Sequence, residues 1–291
     1  MEISFQSITS TINFENWLSA FKEINDSLLI EIDTKEQAFI AKTHNESRNI
    51  VKYGKLSFQN AGLEVVSVTG KDRKKLTLDE WNEANSGRIK VGIFSVLDKF
   101  IKVVKQFSDT ENHKINIKFE SGDEGDFTGT RVEFKSLTLT MGAPCADLEQ
   151  FTYVSDDKFL NGIAAIENPV VFSHNAEVSK ALINISNIYS VDAKKDIIDF
   201  KVVKEGNEWA LHAIDFSGNS YDYMIGYLDA NDTEGDHEFE NIHVPVIRNN
   251  YILGTKSDGE SGKIIIPGVE NGDKLKICCD SFITIIASVR V

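Results

Sequence analysis

Apolar and polar residues alternate along most of this chain. LLIEID (28–33), AFIAKT (38–43), KINIKF (114–119), TRVEF (130–134) and SLTLTM (136–141) alternate or run apolar with β-branched residues, between clusters of Gly, Asn, Asp and Ser. That pattern predicts short strands, because strand side chains point to opposite faces with a period of two. The second half repeats it in DIIDFKVV (196–203), EWALHAIDF (208–216), YDYMIGYL (221–228), GKIII (262–266), KLKICC (274–279) and FITIIASVRV (282–291). Only four prolines occur, which suits antiparallel ladders that a missing N–H would interrupt.

Four segments carry the helical period instead. Residues 14–25 place Phe14, Trp17, Leu18, Phe21 and Ile24 at i, i+3, i+4, i+7 spacing, and residues 94–107 do the same with Val96, Leu97, Phe100, Ile101, Val104 and Phe107. Val178, Leu182, Ile185 and Ile188 mark a third helix at 176–189, and 247–256 is a shorter, weaker candidate. Two helices fall in each half, so a βαβββ pattern recurs inexactly through the chain. The expected organisation is α+β: a first domain at 1–143, a connector at 144–168 and a second domain at 169–291. A charged segment, 70–88, interrupts the first domain as a surface excursion with a short helix near 77–84.

With 291 residues and 41% hydrophobic content, the chain can bury a substantial core. Acidic residues outnumber basic ones 45 to 31, for a net charge of −14, which excludes a uniformly basic nucleic-acid binder but permits a local basic surface. No apolar run approaches the roughly 18–20 residues that span a bilayer, and MEISFQS has no leader pattern; the expectation is a soluble, cytoplasmic protein with no membrane association. Cys145 and the adjacent Cys278 and Cys279 lack CxxC spacing and are expected to be reduced thiols.

Catalytic signatures are missing from the sequence. It contains no GxxxxGK[ST], GxSxG or HExxH motif. DANDTEGDHEFE (229–240) superficially matches a calcium loop, but with Gly235 at the sixth position Ala230 and Asn241 occupy the two end-ligand positions. SGDEGDFTGT (121–130) is glycine-rich yet acidic, and reads as a turn. The six histidines have no metal-ligand spacing, so no cofactor, metal or catalytic residue is assigned.

The basic residues are placed unevenly. At about 100° per residue, the apolar side chains of 94–107 fall within an arc of about 160°, and Lys99, Lys102 and Lys105 fall within about 120° on the opposite side. Lys22 lies on the polar side of the first helix, Lys180 on that of the third, and Arg248 and Lys256 on the fourth. One reading is an ordinary solvated face; the other is a helical surface of positive potential that meets a polyanion.

The chain resembles DNA polymerase sliding clamps of the two-domain type, the group of proliferating cell nuclear antigen and the tailed-phage clamps. VGIFSVLDKFIKVVKQF followed by KINIKF resembles the central strand, helix and returning strand of their first domain. AEVSKALINISNIYS with DIIDFKVVKEGNEWALHAIDFSG resembles the first helix and hairpin of the second, and FITIIASVRV the closing strand. The 70–88 insertion and the long connector depart from that pattern.

The resemblance implies duplicated clamp domains in a six-domain ring, with antiparallel sheets outside and helices lining a channel around duplex DNA. It implies a non-catalytic homotrimer that holds double-stranded DNA without sequence preference and binds a DNA polymerase and a clamp loader. Lys22, Lys99, Lys102, Lys105 and Lys180 would face the channel, with Arg248 and Lys256 as further candidates; Ile183 and Asn187 stand where clamps often carry basic side chains. The acidic remainder would discourage DNA on the outside. The edge strands 136–141 and 221–228 would join subunits. Leu148, Phe151, Tyr153 and Val154 of the connector, with Ile285, would receive a hydrophobic partner peptide, unless Phe151 and Tyr153 merely pin the connector to the sheet. The alternative function is a β-rich viral structural or assembly protein, and a third is an enzyme on a duplicated α+β scaffold.

Overall fold

The computed structural model describes residues 1–108, 112–175, 177, 180–182, 184, 197–215, 222–233, 237–255 and 261–289. It divides into two compact units, Met1–Thr43 with Tyr53–Tyr153, and His44–Lys52 with Val154–Val291. The boundary at Tyr153 falls inside the segment expected to connect the halves.

The first unit runs β1 (Glu2–Ser7), α1 (Ile12–Lys22), β2 (Leu28–Asp33), β3 (Ala38–His44), β4 (Ile50–Ser57), β5 (Leu63–Thr69), β6 (Lys75–Leu76), α2 (Leu78–Ala84), β7 (Ile89–Ile93), α3 (Leu97–Ser108), β8 (Lys114–Ser121), β9 (Phe127–Lys135) and β10 (Thr140–Pro144). Its strands lie in the order β4-β3-β2-β7-β9-β8-β1-β5-β6, with β10 beside β9. β7 and β9 pair in parallel. The period-two pattern decides which face is buried: Ile3 and Phe5 of β1, Ile115 and Ile117 of β8, and Val132 and Phe134 of β9 are core residues. Against them pack α1 through Phe14, Trp17 and Phe21 and α3 through Phe100, Val104 and Phe107, each such side chain contributing about 1.5–3 kcal/mol by its burial. Phe14, Trp17 and Phe39 stack or tilt against one another at centroid distances of 4.8–6.5 Å.

Three local departures from the sequence reading have physical causes. The helix expected from residue 94 begins at Leu97, because Ser95 takes a positive φ of 53° and the first helical amides are capped from a distant loop: Leu97 N donates to Asp26 O (3.0 Å) and Asp98 N to Asp26 Oδ1 (3.0 Å). Phe94 and Val96 are thereby left outside the helix and exposed. The strand expected at 136–141 is a hairpin turn followed by β10. Ser136 N donates to Leu139 O (2.8 Å), Leu139 N donates to Ser136 Oγ (3.2 Å), and Leu137 at the tip is fully exposed. In the charged insertion, Thr77 and Glu80 form a reciprocal capping box for α2, and Trp81 anchors it at 5.6 Å from Phe119 and 5.1 Å from Phe127.

The second unit contains β11 (Pro169–His174), β12 (Ile197–Glu205), β13 (Glu208–Asp215), β14 (Asp222–Tyr227), β15 (His243–Ile247), α4 (Arg248–Thr255), β16 (Gly262–Pro267), β17 (Lys274–Cys279) and β18 (Phe282–Ala287), after helical turns at Asp156–Lys158 and Phe159–Ile163. Two antiparallel arrangements, β11-β16-β17-β18 and β14-β13-β12-β15, enclose a core that includes Phe172, Phe200, Val244, Tyr251, Ile264 and Ile286. Residues 44–52, the tip of the β3–β4 hairpin, belong here. Asn49 O accepts from Ala287 N (2.9 Å), and the buried Lys52 sends Nζ to Gly254 O (3.1 Å) beneath the ring of Phe282 (4.8 Å). Of the helix expected at 176–189, Lys180 to Leu182 are helical and Leu182 is buried; Ile183, Asn187 and most of the rest lie outside the described residues.

Candidate nucleic-acid interface

Helix α3 separates its chemistry by angle. The apolar stripe is spent on the core, and Lys99, Lys102 and Lys105 are exposed on the other side, with the Lys102 and Lys105 side chains 72% and 68% exposed. Lys22 joins them from the last turn of α1, which packs beside α3. Two carboxylates temper this strip. Asp98 is held between Lys102 (Nζ to Oδ2, 2.6 Å) and Lys22, and hydrogen bonds from these two amines pull its carboxyl down to about 2. The bond to Asp98 raises the Lys22 ammonium in turn. Lys105 is 3.9 Å from Glu15. Among the described residues Lys99 has no carboxylate within 4 Å. Glu23 and Asp26 also lie near Lys22, so the cations of the strip are balanced at the α1 end and least countered at Lys99; exposed pairs of this kind exchange readily for phosphate because they contribute little.

The remaining basic candidates divide. Lys180 is exposed on its helical segment. Lys256 lies outside the described residues. Arg248 is corrected: it is 3% exposed and does not present its guanidinium to a polyanion. The buried positions of α4 include Arg248, Tyr251 and Thr255, so the i, i+3, i+7 spacing that buries Tyr251 turns Arg248 inward with it.

The connector aromatics are tied to the first unit. Ala146 N donates to Gly92 O (2.9 Å), and the Phe151 ring lies over Gly92 so closely that a Cβ there would stand 2.7 Å from Phe151 Cε2. Phe151 also meets Phe94 edge-on at 6.0 Å. The Tyr153 ring, about half exposed, lies 4.0 Å from Lys90 Nζ and 5.4 Å from Lys42 Nζ, and burial raises its hydroxyl. Beneath it, buried Glu31 accepts from Lys42 (3.0 Å) and Arg88 (2.8 Å), and Arg88 also bonds Asp33 (2.9 Å). Leu148 is half-buried in the first unit. Val154 and Ile285 belong to the second, where Ile285 is buried.

Sequence reasoning missed an apolar cleft of about 630 Å³ between α3 and β10, lined by Phe94, Val96, Phe100, Val103, Phe134 and Met141. The signal was present but misread, since Phe94 and Val96 fitted a helical period that Ser95 breaks. Cys145 also lines it, with a thiol that burial pushes up to about 11. β10 and β14 are edge strands, each laddered to one named neighbour, β9 and β13. Among the described residues no group of three His, Cys, Asp or Glu is placed to hold a metal ion, and no helix is long and apolar enough to cross a membrane.

No protein-family model matches this sequence, and no curated protein does. Solved structures do match. The PCNA of A. fulgidus, solved with the C-terminal region of FEN-1, aligns over 99% of both chains with a TM-score of 0.63 at 12% identity. The PCNA2–PCNA3 complex of Sulfolobus tokodaii aligns over 99% of both chains at 0.56 and 14%. The DNA polymerase sliding clamp of Bacillus subtilis aligns over all of this chain and 64% of its own, at 0.62 and 10%. The fold of this chain is therefore the mixed α+β fold of sliding clamps.

Proposed function

We propose that the protein is a DNA sliding clamp, a non-catalytic ring that encircles duplex DNA and tethers a replicative polymerase. The observation that carries this reading is the one-sided exposed row of Lys22, Lys99, Lys102 and Lys105 on paired helices of a clamp fold whose total charge is −14. Lysine ammonium groups are point charges that hold phosphates without reading bases, which is what sliding requires. Lys180 adds to the channel from the second clamp domain, and residues 144–168 join domains 1–143 and 169–291.

Two clamp domains per chain make three copies the number that completes a six-domain ring, joined head to tail. The edges of β10 and of the start of β14, whose end leans on β11 through the Leu228–Phe172 bridge, are the complementary ladders, and the apolar cleft beside β10, with exposed Phe94 and Val96, gives that junction an apolar centre. Ile285, buried in the second unit, is not part of the partner site, which lies on the first-unit part of the connector at Leu148, Phe151 and Tyr153. It is read by analogy with the A. fulgidus PCNA, which was solved with a bound FEN-1 segment; polymerase and clamp loader are the inferred partners, at replication sites in the cytoplasm. The test is loading onto nicked circular duplex with a cognate loader. Retention that disappears on linearising the DNA supports a ring, and equal retention on both forms contradicts it.

A further inference from the structure

The sheet of the first unit has a second cationic surface, on the face opposite α1 and α3. Pairing registers place its outward side chains in rows. One row runs Lys75, Thr69, Glu2, Lys118, Arg131 across β6, β5, β1, β8 and β9; the next runs Ser67, Ser4, Asn116, Glu133; the third runs Glu64, Gln6, Lys114, Lys135. At about 4.8 Å between strands, the first row spans about 19 Å.

Two like-charge pairs stand directly opposite each other, Lys114 with Lys135 and Lys118 with Arg131. Such pairs destabilise a sheet; Glu133 sits among them, bonded to Lys118 (3.3 Å), Arg131 (3.0 Å) and Lys135 (3.2 Å), and Glu2 stands opposite Lys118 on β1. The β5–β6 turn extends the first row with Lys71, Arg73 and Lys74, all exposed. That turn is fixed: Gly70 N donates to Lys74 O, Arg73 N to Gly70 O, and Lys74 N to Asp72 Oδ1, so the Asp72 carboxylate is occupied by backbone. Among the described residues, Lys71, Arg73, Lys74, Lys75 and Lys114 have no carboxylate within 4 Å. Counting Glu120 in the row beyond Lys118, and Glu80, whose charge meets that of Lys74 from α2, the surface holds eight cations against six carboxylates (Glu2, Glu64, Asp72, Glu80, Glu120 and Glu133).

We propose that this sheet face, from the 71–75 turn to Lys135, binds the phosphate backbone of duplex nucleic acid outside any channel. The chemistry of the face selects that partner. Between the cations stand Ser4, Ser67, Thr69, Gln6 and Asn116, with no aromatic ring on which an unpaired base would stack. The exposed apolar side chains of this face are confined to Val66 on β5 and the Leu137–Leu139 hairpin tip beside Lys135, not gathered into the central cluster on which protein partners concentrate their binding energy. What remains is flat, polar and cationic, which fits sequence-independent phosphate binding. No ring is required, because every residue involved belongs to one unit of one chain.

The test uses covalently closed circular duplex without a loader, which a closed ring cannot thread. Wild-type chain should bind it at low salt. Lys71→Gln, Arg73→Gln, Lys74→Gln, Lys114→Gln and Lys118→Gln combined should weaken binding about tenfold or more, and lower the slope of log affinity against log salt by up to about 0.9 for each phosphate no longer neutralised. Arg131 and Lys135 remain on Glu133, and both like-charge pairs are relieved, so the melting temperature should hold or rise. Lys99→Gln, Lys102→Gln and Lys105→Gln combined should weaken this binding less than the sheet-face variant does. The proposal is overturned if the sheet-face variant binds as wild type, if it melts lower because the bases are structural, if only the α3 variant loses affinity, or if poly-glutamate competes as well as DNA. A failure of topological retention with sheet-face binding intact would count against the ring and leave this surface standing.

Discussion

Asp98 makes the α3 strip testable by a substitution that removes an acid rather than a base. Its carboxylate holds Lys102 and Lys22 together, so a phosphate arriving at either amine must displace it. Asp98→Asn keeps the side-chain shape and leaves both amines for DNA. Each additional phosphate neutralised steepens the log–log salt dependence by about 0.9, so between 50 and 200 mM salt one phosphate is worth about 3.5-fold in affinity and two about twelvefold. The variant should therefore bind a short linear duplex, which can thread a ring, more tightly at 50 mM, with a salt slope steeper by about one to two units. Fluorescence anisotropy across that range reads both quantities. Because the Asp98 carboxyl lies at about 2, it is fully ionised from pH 5 to 8, and buffer pH in that range does not imitate the substitution. An unchanged slope, with circular dichroism confirming that α3 is intact, would refute the claim that this strip meets phosphate.

Gly92→Val would drive a side chain into Phe151 and to within 2.9 Å of Ala146 O; thermal melting should show a loss of about 1–3 kcal/mol, with faster proteolysis between 144 and 153, and unchanged melting would mean that Phe151 does not anchor the connector. Lys52→Ala should cost about 3 kcal/mol by chemical denaturation, from the volume lost and the charge-assisted bond to Gly254 O removed, and Lys52→Met should recover part of it. Asp98 and Glu133, both lowered to about 2 by basic neighbours, stabilise the folded state fully above their ordinary values of 3.8 and 4.5, and that stabilisation is lost as pH falls through 2. Melting curves of Asp98→Asn with Glu133→Gln should accordingly be flatter than wild type between pH 4 and 2. Phe94→Ser with Val96→Ser should shift sedimentation toward monomer at micromolar concentration, and an unchanged mass would remove the α3–β10 cleft from the subunit junction.

Strands buried on one face were legible because their alternation is a direct image of that burial: LLIEID (28–33) became β2 with the same bounds, and KLKICC (274–279) became β17. The amphipathic helices were legible for the same reason, but their ends were not. The start of α3 is set by Asp26, far away in sequence, and SLTL (136–139) alternates like a strand although Ser136 closes it into a turn. At the candidate site, residues whose exposure follows from helical angle were readable, Lys99, Lys102 and Lys105 among them. Arg248 was misread because its helix is too short and too weakly patterned to reveal which side faces the core. The outer cationic face was invisible, since Lys75, Lys118 and Arg131 meet only through strand register, and the capping carboxylates of α3 required tertiary structure.

The central claim is that this chain forms a closed ring of three copies around duplex DNA. Its most direct test is analytical ultracentrifugation of the purified protein combined with retention on nicked circular DNA after loading. The account predicts a trimer mass and complexes that survive high salt on circles and are lost on linearisation. A monomer at all concentrations, with equal salt-sensitive binding to circles and linear DNA, would contradict it.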